Sequence, residues 1–229
     1  MIKVYIASTT PLCELSHYDA GLKTVSTERK KKIEQCRQAE DKRRGLLASL
    51  LLQYAWDEWT GTKEELREAY GEHGKPYCVN DSTFHYNLSH SGNYAVCAVA
   101  SAEVGIDIQK KRPYQAAIAR RWFAPIEYQR LEVLSGEKQT DAFCRIWTSK
   151  ESYVKYTGKG MQQELQTFYE EETSGILCDN MTLPMDEPEV QSYSYPKLYV
   201  THYVSMKDYD IAVCSEEQWK KGLQHVELF

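Results

Sequence analysis

Apolar positions recur along the chain with two different periods. Phe84, Tyr86 and Leu88 alternate with His85, Asn87 and Ser89, and a period of two predicts a half-buried strand. The run YAVCAVA at 94–100 predicts a second strand, buried on both faces. Between them Ser89-His90-Ser91-Gly92-Asn93 is rich in turn formers. Residues 84–100 therefore read as a hairpin with Ser89 and His90 at its mouth. In EVGIDIQ, 103–109, Ile106 and Ile108 face one way, and Gly105, Asp107 and Gln109 face the other. Residues 2–7 predict a first strand, and LQTFYEE (165–171), KLYVTHYVS (197–205) and DIAVCS (210–215) predict later ones.

The second period is helical. Leu46, Leu47, Leu50, Leu51, Tyr54 and Ala55 form a stripe within 27–59, which predicts one or two helices. Residues 115–135 and 139–156 also predict helices, and Gly71, Gly74 and Pro76 punctuate a loop. A short echo links the ends of the pattern: YAVCA at 94–98 and YDIAVCS at 209–215 are both tyrosine-led, and helices precede each. An α+β fold with two similar halves is expected, one over 1–103 and one over 104–229.

Composition narrows the picture. The chain has 229 residues, 42% hydrophobic and 27% charged, ordinary values for a globular protein. It contains no apolar run of 18 residues, so no membrane helix is expected. Seven cysteines are scattered without a C-x-x-C pair. That pattern fits free thiols in a reducing cytoplasm and speaks against structural zinc.

Charge is uneven. The net charge is −5, yet residues 23–48 hold nine Lys/Arg against four acids. Such a segment is either a solvated helix face or a site for a phosphate-bearing partner. The acidic balance elsewhere speaks against nucleic acid.

Candidate chemistry gathers in three places. Glu151 and Lys155 stand four apart beside Trp147 on the predicted helix. They are an ordinary surface ion pair or part of a site. Asp107 and Gln109 share one face of the 103–109 strand and offer oxygen donors of the kind Mg²⁺ takes. Ser89 and His90 offer a hydroxyl and an imidazole, which suit a phosphate better than a nucleophile and its base.

Four motifs occur in a fixed order: HGKPY (73–77), FHYNLSHSG (84–92), VGIDIQ (104–109) and WTSKESYVKYTGKG (147–160). On these the chain resembles the 4′-phosphopantetheinyl transferases of the surfactin-synthetase-activating type. The resemblance implies two α/β halves related by a pseudo-twofold axis, with coenzyme A between them. It implies transfer of the phosphopantetheine arm to a serine of an acyl- or peptidyl-carrier protein, releasing adenosine 3′,5′-bisphosphate. It further implies a monomer using Mg²⁺, with Mn²⁺ as an alternative.

Residue by residue, Asp107 and Glu151 match the family's metal carboxylates, and Glu151 also its general base. Lys155 matches the lysine near the pyrophosphate, expected to be catalytic with Glu151 and to bind coenzyme A; Lys150 and Trp147 match its motif neighbours, and Lys150 too is expected to contact coenzyme A. Ser89 and His90 match contacts to the coenzyme A phosphates, and Lys75 and Pro76 the loop beside the nucleotide. Arg29, Lys32 and Arg44 match the basic residues near the 3′-phosphate. Gln109 stands where members commonly carry a glutamate, so it is expected to be a weaker metal ligand. Lys110, Lys111, Arg112, Tyr114, Arg121, Trp122 and Phe123 are candidates for a rim that receives an acidic carrier protein.

Overall fold

In a computed structural model the described residues are 1–160, 163–171, 174–179, 197–203, 206–218 and 222–229. The chain runs twice through one order of elements. The first pass is β1 (Ile2–Ser8), helices α1 (Leu15–Leu22), α2 (Thr27–Gln35) and α3 (Ala39–Thr60), the short strands β2 (Glu68–Tyr70) and β3 (Pro76–Cys78), then β4 (His85–Ser91) and β5 (Tyr94–Ala100). The second is β6 (Val104–Lys110), helices α4 (Ala116–Trp122), α5 (Pro125–Glu132) and α6 (Gly136–Thr157), the short strands β7 (Phe168–Glu170) and β8 (Leu177–Asp179), then β9 (Tyr199–His202) and β10 (Tyr209–Ser215). The repeat extends to detail. Helices α3 and α6 are each 22 residues long, and each ends in Thr-Gly with the glycine, Gly61 or Gly158, at φ 69°. Glycine enters that left-handed cap without a Cβ clash.

The main sheets are wired alike. The first has the order β11 (Gln224–His225), β1, β5, β4 and the second β6-β10-β9. In each, the half's first strand pairs antiparallel with its last. Alternation divides the side chains of each strand between two layers. Ile2, Val4, Ile6, Val96 and Ala98 share an inter-sheet core with Ile106, Ile108, Ile211 and Val213. On the opposite face, Tyr5, Cys97 and Val99 pack against Leu47, Leu51 and Ala55 of α3. The element β11 (Gln224–His225) runs parallel to β1. Phe229 stacks on His17 at 5.0 Å, so the last residues pack on the first half, not on the second as the 104–229 boundary implied.

Local chemistry sets where the expected elements begin and end. The stretch 27–59 is two helices, separated where Cys36 and Gln38 turn extended. The stretch 115–135 breaks at the extended Phe123 and Ala124, ahead of Pro125 at the start of α5. The hairpin turn is only Gly92-Asn93, with Gly92 at φ 53°, and β4 runs on through Ser91. Ser89 and His90 therefore lie within a strand, because Ser91 still pairs with Tyr94. In LQTFYEE the first three residues form a 3-10 turn, and Val204 and Ser205 of KLYVTHYVS lie outside the described residues.

Candidate active site

The site forms where the edge strands of the two sheets meet. β4 and β6 lie side by side, and side chains of β4 join them. Asn87 Oδ1 accepts from the Ile106 N–H at 3.1 Å, and Ser91 Oγ accepts from the Lys110 N–H at 3.0 Å. Between these, Ser89 Oγ donates to Asp107 Oδ1 at 2.7 Å. Every second residue of β4 thus meets β6, satisfying edge groups that would otherwise be orphaned.

Helix α6 comes down on the same strand. A Cβ at Gly105 would lie 2.0 Å from the Ser152 carbonyl oxygen and 2.4 Å from the Tyr156 nitrogen. Only glycine permits that approach. It delivers Lys155 to Asp107: Lys155 Nζ donates to Asp107 Oδ1 at 2.6 Å and to Ser89 Oγ at 2.8 Å. Asp107 is buried. Among the described residues no hydrogen bond or ion pair reaches the Glu151 carboxylate. Burial first, and then the charge of Asp107, raise its pKa, against the opposing effect of Lys155.

A cleft of about 520 Å³ opens over this cluster, and Ser89, His90, Asp107, Gln109 and Lys155 line it. Arg29 and Lys32 of α2, Tyr70 of β2 and Pro76 of β3 close its other side. Lys32 donates to the Tyr70 hydroxyl at 2.6 Å. Desolvation by the surrounding chain, then the charges of Arg44 and Lys155, push the His90 pKa down although the residue keeps an exposed surface, so its ring is neutral at neutral pH. The cleft thus offers acidic oxygens and an ammonium on one wall and basic groups on the other.

Comparison with known proteins bears on this arrangement. The family model described as the 4′-phosphopantetheinyl transferase superfamily matches residues 103–214, and the one described as 4′-phosphopantetheinyl transferase, N-terminal, matches 13–102. The 4′-phosphopantetheinyl transferase Sfp of Bacillus subtilis (strain 168) is 34% identical over 83% of this chain and 82% of its own. The 4′-phosphopantetheinyl transferase psf-1 of Bacillus pumilus is 35% identical over 89% of this chain and 83% of its own. The chain belongs to the 4′-phosphopantetheinyl transferase family. A more distant relative, the L-aminoadipate-semialdehyde dehydrogenase-phosphopantetheinyl transferase of Mus musculus, is 30% identical over 64% of this chain and 52% of its own. Enzymes of this family move the phosphopantetheine arm of coenzyme A onto carrier proteins.

Within this transferase the other candidate residues are dispersed. Arg44 bonds Asp41 and donates to the Gly92 carbonyl at 3.1 Å, at the hairpin turn. Lys75 donates to Glu103 Oε2 at 2.5 Å and to the Tyr156 carbonyl at 2.7 Å, beside cavities next to the cleft. Lys150 does not face the cleft. It is fully buried, ion-paired with Glu127 Oε2 at 2.8 Å, and donates to the Leu165 and Phe168 carbonyls at 2.7 and 2.6 Å. Its expected contact with the substrate is corrected: a position one residue before Glu151 projects about 100° round the helix, into the core. Phe123 likewise leaves the proposed rim, buried against Phe143 and Trp147, and Lys111 pairs with Asp141 at 2.7 Å.

Several residues that build the site carried no local signal. Glu68 and Ser49, which hold Arg29, and Glu127, which holds Lys150, read as ordinary surface residues. Asn87 and Ser91 were legible in principle, since a strand with polar residues on every second position must present them to something polar.

Proposed function

We propose that the cleft binds coenzyme A across both halves, with its pyrophosphate beside Asp107, Glu151 and Lys155 and its 3′-phosphate toward Arg29 and Lys32. A serine of an apo acyl- or peptidyl-carrier protein then attacks the β-phosphorus. One observation carries the reading: Asp107 and Lys155, bonded to each other, line a cleft together with Arg29 and Lys32, and Glu151 lies near enough for the charges of Asp107 and Lys155 to act on it. Lys75 and Pro76 flank the nucleotide, and Ser89 and His90 offer hydrogen bonds to phosphate oxygens.

The residues present suit a divalent metal. Asp107 lies close enough for its charge to raise the pKa of Glu151, a repulsion that a cation relieves. Gln109 adds an amide oxygen from the same face of β6. Asp107 and Glu151 would hold Mg²⁺, or Mn²⁺ in its place, with Gln109 as a weaker neutral donor. When bound, the ion neutralises charge on the phosphoryl oxygens and the leaving group.

The chain's own groups do the rest. Lys155 places a positive charge where the leaving group's charge develops. The raised pKa of Glu151 suits it to take the proton of the serine hydroxyl, directly or through water. The serine Oγ–phosphorus bond forms as the bond to adenosine 3′,5′-bisphosphate breaks.

One chain supplies both walls, which supports a monomer. None of the seven cysteines forms a disulfide, which supports the cytoplasm. No helix among the described residues is long and apolar enough to cross a membrane.

Intact-mass analysis of apo carrier proteins after incubation with the protein, coenzyme A and Mg²⁺ tests the reading. The expected result is a gain of one phosphopantetheine, lost with EDTA. Cleavage of coenzyme A without any carrier gain would replace the transferase with a pyrophosphatase.

A further inference from the structure

Arg29 stands in a wall between two cavities. One is the cleft. The other, of about 340 Å³, lies among α1, α2, α3 and the C-terminal residues. Arg29 and Ser49 line both, whereas Glu68 lines only the second. From that side the Glu68 carboxylate accepts from Arg29 Nε and Nη2, each at 2.6 Å. The Tyr86 hydroxyl donates to the same carboxylate. Ser49 Oγ accepts from Arg29 Nη1 at 3.1 Å and donates to the Gly45 carbonyl at 2.8 Å. The pair is largely buried, with side-chain exposures of 17% and 10%. Burial would push the Glu68 pKa up, but the bonds from Arg29 and Tyr86 bring it below the ordinary carboxylate value, so the carboxylate stays ionised.

A guanidinium carries five N–H donors. Glu68 takes the Nε–H and one from Nη2, and Ser49 takes one from Nη1. One N–H remains on each terminal nitrogen, and on the side away from Glu68 Arg29 lines the cleft. We propose that Glu68 is a positioning residue for the 3′-phosphate of coenzyme A. It holds Arg29 from behind, aims the remaining donors into the cleft, and so sets how strongly the chain prefers coenzyme A to 3′-dephospho-coenzyme A. This rests on the reading above that turns the 3′-phosphate toward Arg29 and Lys32.

Two effects of Glu68 oppose each other. Its negative charge repels a phosphate, yet that charge lies behind Arg29 and is engaged in two short bonds. A released Arg29 would need to surrender the rotamer freedom of a long side chain before gripping a phosphate. The pre-aimed fork avoids that loss and matches phosphate geometry. Aim therefore outweighs charge, and the preference depends on Glu68 more than on net field.

The test is calorimetric binding of coenzyme A and of dephospho-coenzyme A to the wild type, Glu68→Gln and Tyr86→Phe. Expected for Glu68→Gln is a preference reduced roughly tenfold, the scale of a lost supporting contact. Coenzyme A should weaken while dephospho-coenzyme A stays within about twofold, and Tyr86→Phe should move the ratio the same way by less. An unchanged ratio, a risen ratio, or equal weakening of both ligands overturns the proposal, the last assigning Glu68 a merely structural role. Should Glu68→Gln fail to fold, Tyr86→Phe carries the same comparison. A wild type that binds both ligands equally would instead remove the 3′-phosphate from Arg29 and overturn the underlying placement.

Discussion

At the scale of single residues, Glu151 and Gln109 are asked to do different things with similar side chains. Glu151 combines a raised pKa with the lack of any hydrogen-bond or ion-pair partner among the described residues, two properties that the proposed metal and proton roles require. Glu151→Gln keeps the shape and removes the charge. Carrier modification should fall by roughly 10²–10⁴-fold with the thermal midpoint unchanged, and near-normal turnover would take Glu151 out of the mechanism. Gln109 is neutral and sits opposite Asp210 in the β6–β10 register. Gln109→Glu adds a carboxylate to the cleft wall, so activity should persist while half-saturation by Mn²⁺ falls to lower concentration. Loss of activity at every Mg²⁺ and Mn²⁺ concentration would show that residue 109 does not lie beside the metal.

At the scale of elements, two contacts place the α6 motif. The first is the close approach of β6 and α6 at Gly105. Both atoms that crowd a Cβ there are backbone, so no side chain can swing away to relieve the clash. Gly105→Ala should cost about 1–3 kcal/mol, read as a lower urea midpoint, and should reduce activity by parting Asp107 from Lys155. The second is Lys150–Glu127, which ties α6 to α5. Burial pushes the Lys150 pKa down and the Glu127 pKa up, each opposed by the partner's charge. Glu127 also accepts from the Ala124 N–H at 2.8 Å, where α5 begins. Lys150→Met should cost about 3–5 kcal/mol by leaving a buried carboxylate without its cation. Adding Glu127→Leu should return part of that loss, a coupling that urea melts of the two single variants and the double variant would read.

At the scale of the molecule, the second half is tied together by buried charge. Arg145 of α6 bonds Glu170 of β7 at 2.8 Å, and His202 of β9 bridges Glu170 at 2.9 Å and Asp210 of β10 at 2.8 Å. Burial alone would lower the His202 pKa, but the bonds to Asp210 and Glu170 leave it raised above its usual 6.5. A raised folded-state pKa stabilises fully below 6.5, and that stability is lost as pH climbs through the folded value. Burial likewise works against the ionised Glu170, but His202 and Arg145 bring its pKa below the usual 4.5, so its contribution is lost as pH falls below that value. Urea stability should therefore peak between these limits, and His202→Gln should flatten the alkaline side. An alkaline limb unchanged in that variant would mean His202 is not the group responsible.

The sequence by itself determined the local periods and the motif chemistry. Alternation at 84–100 and 104–109 and helical spacing at 46–55 and 139–156 are properties of neighbouring residues, and each became the expected element to within a few positions. Asp107, Lys155 and Ser89 stood out by residue type and by the four motifs that carry the family resemblance, and the structure brings the three into hydrogen-bond contact. Only the tertiary structure decided which way each polar group points and what holds it. Lys150 and Glu151 are adjacent in the chain, yet one is sealed in the core against Glu127 and the other is half-buried within reach of the Asp107 charge, a difference of rotation about α6. Arg29 meets Glu68 across 39 residues, Lys155 meets Asp107 across 48, and Lys75 reaches Tyr156 across 81. The first two contacts depend on how each half folds back on itself and the third on how the halves close on one another, and no local pattern encodes a partner so far away.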